Sequence, residues 1–382
     1  MYKSKVALIR CETYEPEKVK SAIKKGLNLL GGIEKFIFPE QTVLLKPNLV
    51  LAQPVEKAIT THPAVFQAVA ELCQETGAIV TCGDSPGIAR PKTAMQKSGL
   101  WEIVQKLNLK LADFEKGEDI AFSEGKLARQ FTIANGVLAA DSFISLPKLK
   151  THGLTRISGA IKNNYGCIPG VLKAQLHLKF PDSENFSKML VDLNRFLKPT
   201  LSIMDGIIAM EGEGPTSGVP RQISVILISD DPVALDATVG RFFGIKPEDV
   251  PPTFWGGEFG LGSYREDEIE LVGDDFASFI DPEFDINRGR LTQRFHSYSE
   301  IFKNIVVAKP VITESQCTRC GTCVRICPAQ PKAVDFGERK NGAPPQYNYN
   351  ACIRCYCCQE LCPEHAIKLK TPWLGKILNR FF

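Results

Sequence analysis

The 382-residue chain has no apolar run approaching the length of a membrane span, and no lysine-rich run. The first absence predicts a protein without a spanning helix. The second, with a formal charge of only +3, gives a nucleic-acid role no support. The opening residues MYKSKVALIR lack the apolar core of a secretory signal, so a reducing, cytoplasmic setting without disulphides is expected. No flavin or nicotinamide (NAD) signature is visible. Gly212 and Gly214 in GEGPTSG depart from the G-x-G-x-x-G spacing and support only a turn beside a ligand. No acid occurs between Asp141 and Asp182.

Cysteine, by contrast, is concentrated near the carboxyl end. CTRCGTCVRICP places Cys317, Cys320, Cys323 and Cys327 before Pro328, and CIRCYCCQELCP places Cys352, Cys355, Cys358 and Cys362 before Pro363 at the same spacing. Each run is the C-x-x-C-x-x-C-x-x-x-C-P pattern of two-cluster ferredoxins, in which the fourth cysteine crosses to the other cluster. One [4Fe–4S] cluster is therefore assigned to Cys317, Cys320, Cys323 and Cys362, the other to Cys352, Cys355, Cys358 and Cys327. Cys357 falls outside the spacing. Structural zinc uses two ligand pairs across a longer loop and fits this repeat poorly. With two oxidised clusters of about −2 each, the loaded protein approaches neutrality.

Residues 1–290 alternate between apolar strands and amphipathic helices. Strands are expected at 5–10, 42–46, 78–82, 141–146, 200–205, 224–229 and 268–273, with helices at 16–30, 63–76, 184–197 and 232–243. Pro63 and Pro232 mark two helix starts, after His62 and Asp231. Continuous apolar strands with intervening helices predict an α/β domain of three layers around a mostly parallel sheet. A small α+β ferredoxin-like domain is expected at 311–370, after a connecting segment at 291–310. An amphipathic helix is expected at 371–382, with Trp373, Leu374, Ile377, Leu378 and Phe381 on a face that docks on the protein itself.

In such sheets, ligands bind beyond the carboxyl ends of the strands. Those positions are polar here: Lys46 and Asn48, then Asp84 and Ser85, then Lys148, Lys150, His152, Lys162 and Asn163, and later Asp205. The acid-free stretch holds Lys148, Lys150, Arg156, Lys162, Lys173 and Lys179 and reads as a basic loop suited to a carboxylate or phosphate. Lys46, Lys148, Lys150, His152 and Lys162 are expected to line one pocket, with Asp84 and Asp205 orienting them or handling a proton. Asn48, Ser85, Asn163, Gly212 and Gly214 are candidates for holding a cofactor. Lys46 or Asp84 alone reads more readily as ordinary loop polarity, and Asp231 and His62 read first as helix caps. Cys167, beside this stretch, is a candidate reactive thiol.

LLKPNL, TTHP, GDSPG, LPKLKTH, GAIKNNYG, MDGIIAMEGEGP and DDPVALDA, followed by the two-cluster run, resemble the family catalogued as domain of unknown function 362, in its iron–sulphur fused form. The resemblance covers nearly the whole chain. It implies one large α/β unit with a carboxy-terminal ferredoxin module, and names no substrate.

Two functions follow from these residues. In one, an oxidoreductase binds an anionic small molecule or cofactor in the large domain and the clusters exchange electrons with it and with a redox partner protein. In the other, the chain is an electron carrier or assembly protein whose large domain recognises a partner. The segment 275–310, with Phe276, Phe279, Phe284, Phe295 and Phe302, is too apolar for a free linker and is expected to fix the ferredoxin against the large domain.

Overall fold

A computed structural model describes residues 3–170, 172–288, 300–337 and 342–381. Expectations for Phe295 and the boundary at residue 290 lie outside the described residues, as do those for the side chains of Phe302, Leu378 and Phe381. The large unit is built on ten strands: β1 (Ser4–Arg10), β2 (Thr42–Pro47), β3 (Ile79–Cys82), β4 (Lys110–Leu111), β7 (Ser142–Leu146), β8 (Lys148–His152), β9 (Arg156–Ile157), β10 (Leu201–Glu211), β11 (Val219–Ser229) and β12 (Ile269–Gly273). A hairpin of β5 (Gly117–Ala121) and β6 (Gln130–Ala134) stands apart. The order across the main sheet is β12-β1-β11-β10-β7-β2-β3-β4, with β8 on β10 and β9 on β8. Pairing is parallel except where β11 meets β1 and β10 and where β9 meets β8.

Alternation along β1 shows why both faces are covered. Ala7 and Ile9 join one core with Val19, Ile23 and Leu27 of helix α1 (Pro16–Leu29) and Val65 and Val69 of α2 (Pro63–Glu75). Val6 and Leu8 point the other way, into a core with Leu235 and Val239 of α9 (Pro232–Phe242). α1 lies so close to the sheet that a Cβ on Gly26 would stand 2.8 Å from Ile228 Cδ1. The helix starts follow the sequence: Asp231 accepts from the N–H groups of Val233 and Ala234, and His62 Nδ1 accepts from that of Ala64.

LPKLKTH forms a strand, not a loop. Lys148 and Lys150 pair with Asp205 and Met210 of β10, and Thr151 and His152 with β9. The strand was hidden because its inward positions 148, 150 and 152 are polar, so no apolar period marks it. The acid-free stretch then continues through the short helices α6 (Ala160–Asn163) and α7 (Leu172–Lys179). Asp236 of α9 accepts from the N–H groups of Ala160 and Ile161 at 2.7 and 3.1 Å, anchoring the start of α6. α8 (Ser183–Leu197) packs its apolar face into a third core with Leu154, Ile161 and Tyr165.

Phe279 and Phe284 belong to the core of the large unit, with Phe284 stacked on Phe243 at 3.8 Å. The carboxy-terminal module pairs β13 (Lys309–Ile312) with β16 (Ile367–Lys370), and β14 (Val334–Asp335) with β15 (Gln346–Tyr347). Helices at Thr322–Ile326 and Cys357–Glu360 each contain the third cysteine of their run, Cys323 and Cys358. The final helix, Trp373–Phe381, meets the rest of the chain through Gly375, where a Cβ would lie 2.0 Å from Val306 O. Of the described side chains of the expected docking face, Trp373 and Ile377 are exposed and Leu374 is half-buried. No helix among the described residues is long and apolar enough to cross a membrane.

Candidate cluster cradles and interdomain site

The two cysteine runs fold alike. Arg319 and Gly321 in the first, and Arg354 and Tyr356 in the second, take left-handed backbone conformations at equivalent positions, with φ of 61, 72, 60 and 62°. Three of these four are not glycine, a conformation that costs roughly 1–2 kcal/mol per residue and is kept where the surroundings require it. The requirement here is a backbone that wraps its thiols round a common centre.

One cavity is lined by Cys317, Cys320, Cys323 and Cys362, and a second by Cys327, Cys352, Cys355 and Cys358. The fourth sulphur of each run lies opposite the other three of its partner run. Ala333 N–H donates to Cys327 Sγ at 3.4 Å and Ala366 N–H to Cys362 Sγ at 3.3 Å, and Tyr347 Oη donates to Cys358 Sγ at 3.2 Å. Four sulphurs per cavity, with hydrogen bonds reaching sulphur, are the donor set of an iron–sulphur cube. Among the described residues no three His, Cys, Asp or Glu side chains converge on one ion, as befits thiols that reach separate corners of a cube. Cys357 lines neither cradle.

Cys357 faces a much larger space. A cavity of about 620 Å³ lies between the large unit and the ferredoxin module, within the range of small-molecule sites. Its sheet-side wall follows the carboxyl ends of β2 and β3, with Asn48, Asp84 and Ser85, and continues through His152, Lys162, Asn163, Lys173 and His177. The module closes it with Arg325, Cys327, Lys332, Cys357 and Glu360. Cys327 therefore belongs both to a cluster cradle and to this cavity.

The charges in this space are unequal. Lys162 has no hydrogen bond or ion pair among the described residues; its ammonium stands 4.8 Å from the centre of the Tyr165 ring. Burial lowers its pKa, and the Glu360 carboxylate raises it. Glu360 Oε1 lies 3.1 Å from His152 Nε2. His152 is nevertheless held below its ordinary pKa, by burial above all. Lys173 Nζ lies 2.9 Å from Ser85 O, 2.7 Å from Ser85 Oγ and 3.1 Å from Ile168 O. Burial brings its pKa down to about 7, with Asp84 opposing and Lys46 and Lys162 assisting. His177 is stacked on Phe186 at 4.3 Å, and its Nδ1 has no hydrogen-bond partner.

Behind the wall lies a buried polar network. Lys46 pairs with Asp84 at 2.8 Å, both side chains almost fully buried. Asp84 also accepts from the N–H groups of Leu49 and Ser85. Gly166 is required beside them, because a Cβ there would lie 1.9 Å from Asp84 Oδ1. Lys150 donates to Asn48 Oδ1 at 2.7 Å and Ile59 O at 2.6 Å, and burial holds its pKa well below normal. Asn48 donates to Asn163, and Asn163 to Ser145.

Of the five basic residues expected to line one pocket, His152 and Lys162 do so. Lys46 stands behind Asp84, and Lys150 behind Asn48. Lys148 is in a separate cluster, 2.7 Å from Asp205, which also accepts from Tyr14 Oη at 2.8 Å and from His62 N–H at 2.9 Å. Lys46 and Lys148 are withdrawn by Asp84 and Asp205, which reach them from other parts of the chain, and Lys150 by a side-chain amide and a carbonyl oxygen. Asn48, Ser85 and Asn163 face the large cavity, whereas Gly212 and Gly214 line a smaller one of about 190 Å³. Cys167 is not a reactive thiol: it is fully buried beside Leu44 and Phe114, and burial pushes its pKa up to about 12.

Residues 43–241 match the family described as Domain of unknown function (DUF362), and residues 309–363 match a 4Fe-4S dicluster domain. The chain belongs to the DUF362 family. It is an iron–sulphur protein of that family, with a cluster-binding carboxy-terminal domain. The Thylakoid-associated protein sll1697 of Synechocystis sp. is 34% identical over 247 residues, 64% of this chain and 76% of that one. Among solved structures, the lactate racemase apoprotein of Thermoanaerobacterium thermosaccharolyticum aligns at 10% identity with a TM-score of 0.42, covering 62% of this chain and 56% of that one. A Thermotoga maritima protein aligns at 12% identity and 0.34, covering 59% and 57%. The DUF362 chain thus spans little more than half the length of either solved chain.

Glu360, Lys173, His177 and Cys357 were not among the expected pocket residues. For Lys173 a signal existed, since it lies in the acid-free stretch. For Glu360 there was none: it sits between cluster cysteines and reaches the cavity only because the module docks there.

Proposed function

We propose that this DUF362 protein is an oxidoreductase that binds an anionic small molecule in the interdomain cavity, beside a ferredoxin module carrying two [4Fe–4S] clusters. The observation that carries this reading is Cys327, whose residue wall is common to a cluster cradle and to the cavity containing Lys162. Cys317, Cys320, Cys323 and Cys362 would hold one cluster, and Cys327, Cys352, Cys355 and Cys358 the other. Bound there, the clusters supply single-electron transfer.

The chain's own residues bind, orient and exclude water. Lys162, half-buried in the cavity wall and without a carboxylate in contact, is the anchor for a carboxylate or phosphate, worth more there than a fully exposed ion pair. Asn48 and Asn163 are held by the network behind them and offer fixed amides. Leu49, Val50, Ile88, Leu178 and Leu361 provide an apolar wall for the body of the molecule. His152, with Nδ1 accepting from the N–H groups of Leu154 and Thr155, keeps its proton on Nε2, on the side of Glu360.

The test adds the molecule extracted from anaerobically purified protein back to dithionite-reduced holoprotein. Stoichiometric recovery of the visible cluster absorbance is expected. Reduced clusters that stay bleached in its presence, yet reoxidise with a generic acceptor, favour the carrier function.

A further inference from the structure

We propose that Ser85 and Lys173 form a nucleophile–base pair that cleaves an ester or thioester of an acid-bearing small molecule in the interdomain cavity. Both side chains line that cavity. The acid-bearing part of the substrate rests on the anion-binding reading above; the covalent step does not.

The geometry around Lys173 Nζ carries the inference. Its three neighbours are Ser85 O, Ile168 O and Ser85 Oγ, at 2.9, 3.1 and 2.7 Å. The two carbonyl oxygens can only accept. A neutral amine has two N–H groups, which these carbonyls occupy, and one lone pair, which is left for the Ser85 hydroxyl. The amine is thus oriented as the proton acceptor of Ser85. Gly170 N–H donates to Ser85 Oγ at 2.8 Å and steadies negative charge developing there. Ser85 itself is fixed by its N–H, which donates to Asp84 Oδ1 and Gly166 O. A hydroxyl within reach of an oriented base is the arrangement that makes serine a nucleophile.

The charged and titratable groups acting on Lys173 are Asp84 after β3, Lys46 of β2, Lys162 of α6 and Cys167. Lys46 and Lys162 favour the neutral amine, and Asp84, already engaged with Lys46, opposes it only in part. Burial outweighs all of these and brings the pKa of the amine to about 7, where a general base works best.

In the step, Ser85 Oγ bonds to the acyl carbon and its proton passes to Lys173. The bond from that carbon to the alkoxide or thiolate leaving group breaks, and Lys173 protonates the leaving group. Water then attacks the acyl-serine, losing a proton to Lys173; the acid departs and Ser85 Oγ recovers its proton. No oxidant or reductant is needed.

The experiment treats full-length holoprotein with a fluorophosphonate probe and locates the adduct by mass spectrometry. An adduct on Ser85 is expected, absent from Ser85→Ala and formed at least ~100-fold more slowly in Lys173→Met. In the wild type the rate should rise with pH and level off above about 7, as Lys173 loses its proton. This profile decides the matter even if Lys173→Met does not fold. An adduct on another residue, no adduct, or a rate independent of pH from ~5 to ~9 would overturn the proposal. Loss of labelling with anion binding intact sinks the nucleophile alone; labelling without anion binding sinks only the acid-bearing substrate.

Discussion

His152 of β8 and Glu360 of the ferredoxin module face each other at 3.1 Å, joining the two halves of the chain at the wall of the cavity. Around them Gln359 Nε2 donates to Glu213 O at 2.9 Å, Thr216 Oγ1 to Glu360 O at 3.0 Å and Leu369 N–H to Glu213 Oε2 at 3.0 Å. A Cβ on Gly87 would meet Leu361 at 2.1 Å, so the module sits directly on the loop after β3. Glu360→Ala removes the carboxylate that stands 3.1 Å from the buried His152 Nε2 and should destabilise by about 1–3 kcal/mol. Glu360→Gln, which keeps an acceptor oxygen, should recover most of that loss. Urea denaturation of the two variants makes the comparison; equal losses would mean that the docking does not depend on this contact.

Iron content separates the adjacent cysteines. Wild-type protein reconstituted without oxygen should hold about eight irons per chain. Cys357→Ser should keep them, because Cys357 faces the interdomain cavity, whereas Cys358→Ser should lose about half. The reverse pattern would refute the ligand assignment.

The Lys46–Asp84 pair is buried, and breaking it leaves a charge without its partner. Asp84→Ala also frees the N–H groups of Leu49 and Ser85. A loss of about 3–5 kcal/mol in chemical denaturation is expected. A loss under about 1 kcal/mol would show that the pair is solvated.

Acid should destabilise the fold through His177. Burial lowers its pKa from 6.5 to about 3, so between these values the unfolded chain binds a proton that the folded chain does not. Its contribution is complete above pH 6.5 and declines as pH falls towards 3, by at most about 1.4 kcal/mol per pH unit. His177→Phe should lose less stability than the wild type between ~pH 7 and ~pH 5, measured by urea denaturation. Parallel losses would mean that the imidazole is hydrated when folded.

The apolar strands of the sheet were legible because each is a continuous run bounded by turn residues, and the helix starts because Pro63 and Pro232 follow residues able to cap. The cysteine spacing likewise made legible which sulphurs line each cavity, since three of each four come from one run and the repeat of the pattern supplies the fourth. β8 was not legible: a strand whose inward row is Lys148, Lys150 and His152 has no apolar period. Nor were the partners of that row, because Asp205, Asn48 and Glu360 come from distant parts of the chain. The left-handed Arg354 and Tyr356 carry no local signal either, since only the fold of the cradle demands them.

The most direct test of the interdomain cavity as the functional site is the small-molecule content of protein purified without oxygen, measured by mass spectrometry after denaturation. The wild type should release about one organic acid or phosphate ester per chain. Lys162→Met, with iron content intact, should retain less than about a tenth of it, since a desolvated charge-assisted contact is lost. Lys18→Ala, on the exposed face of α1, should retain all of it. Equal amounts from wild type and Lys162→Met, or no organic anion from either, would contradict the account.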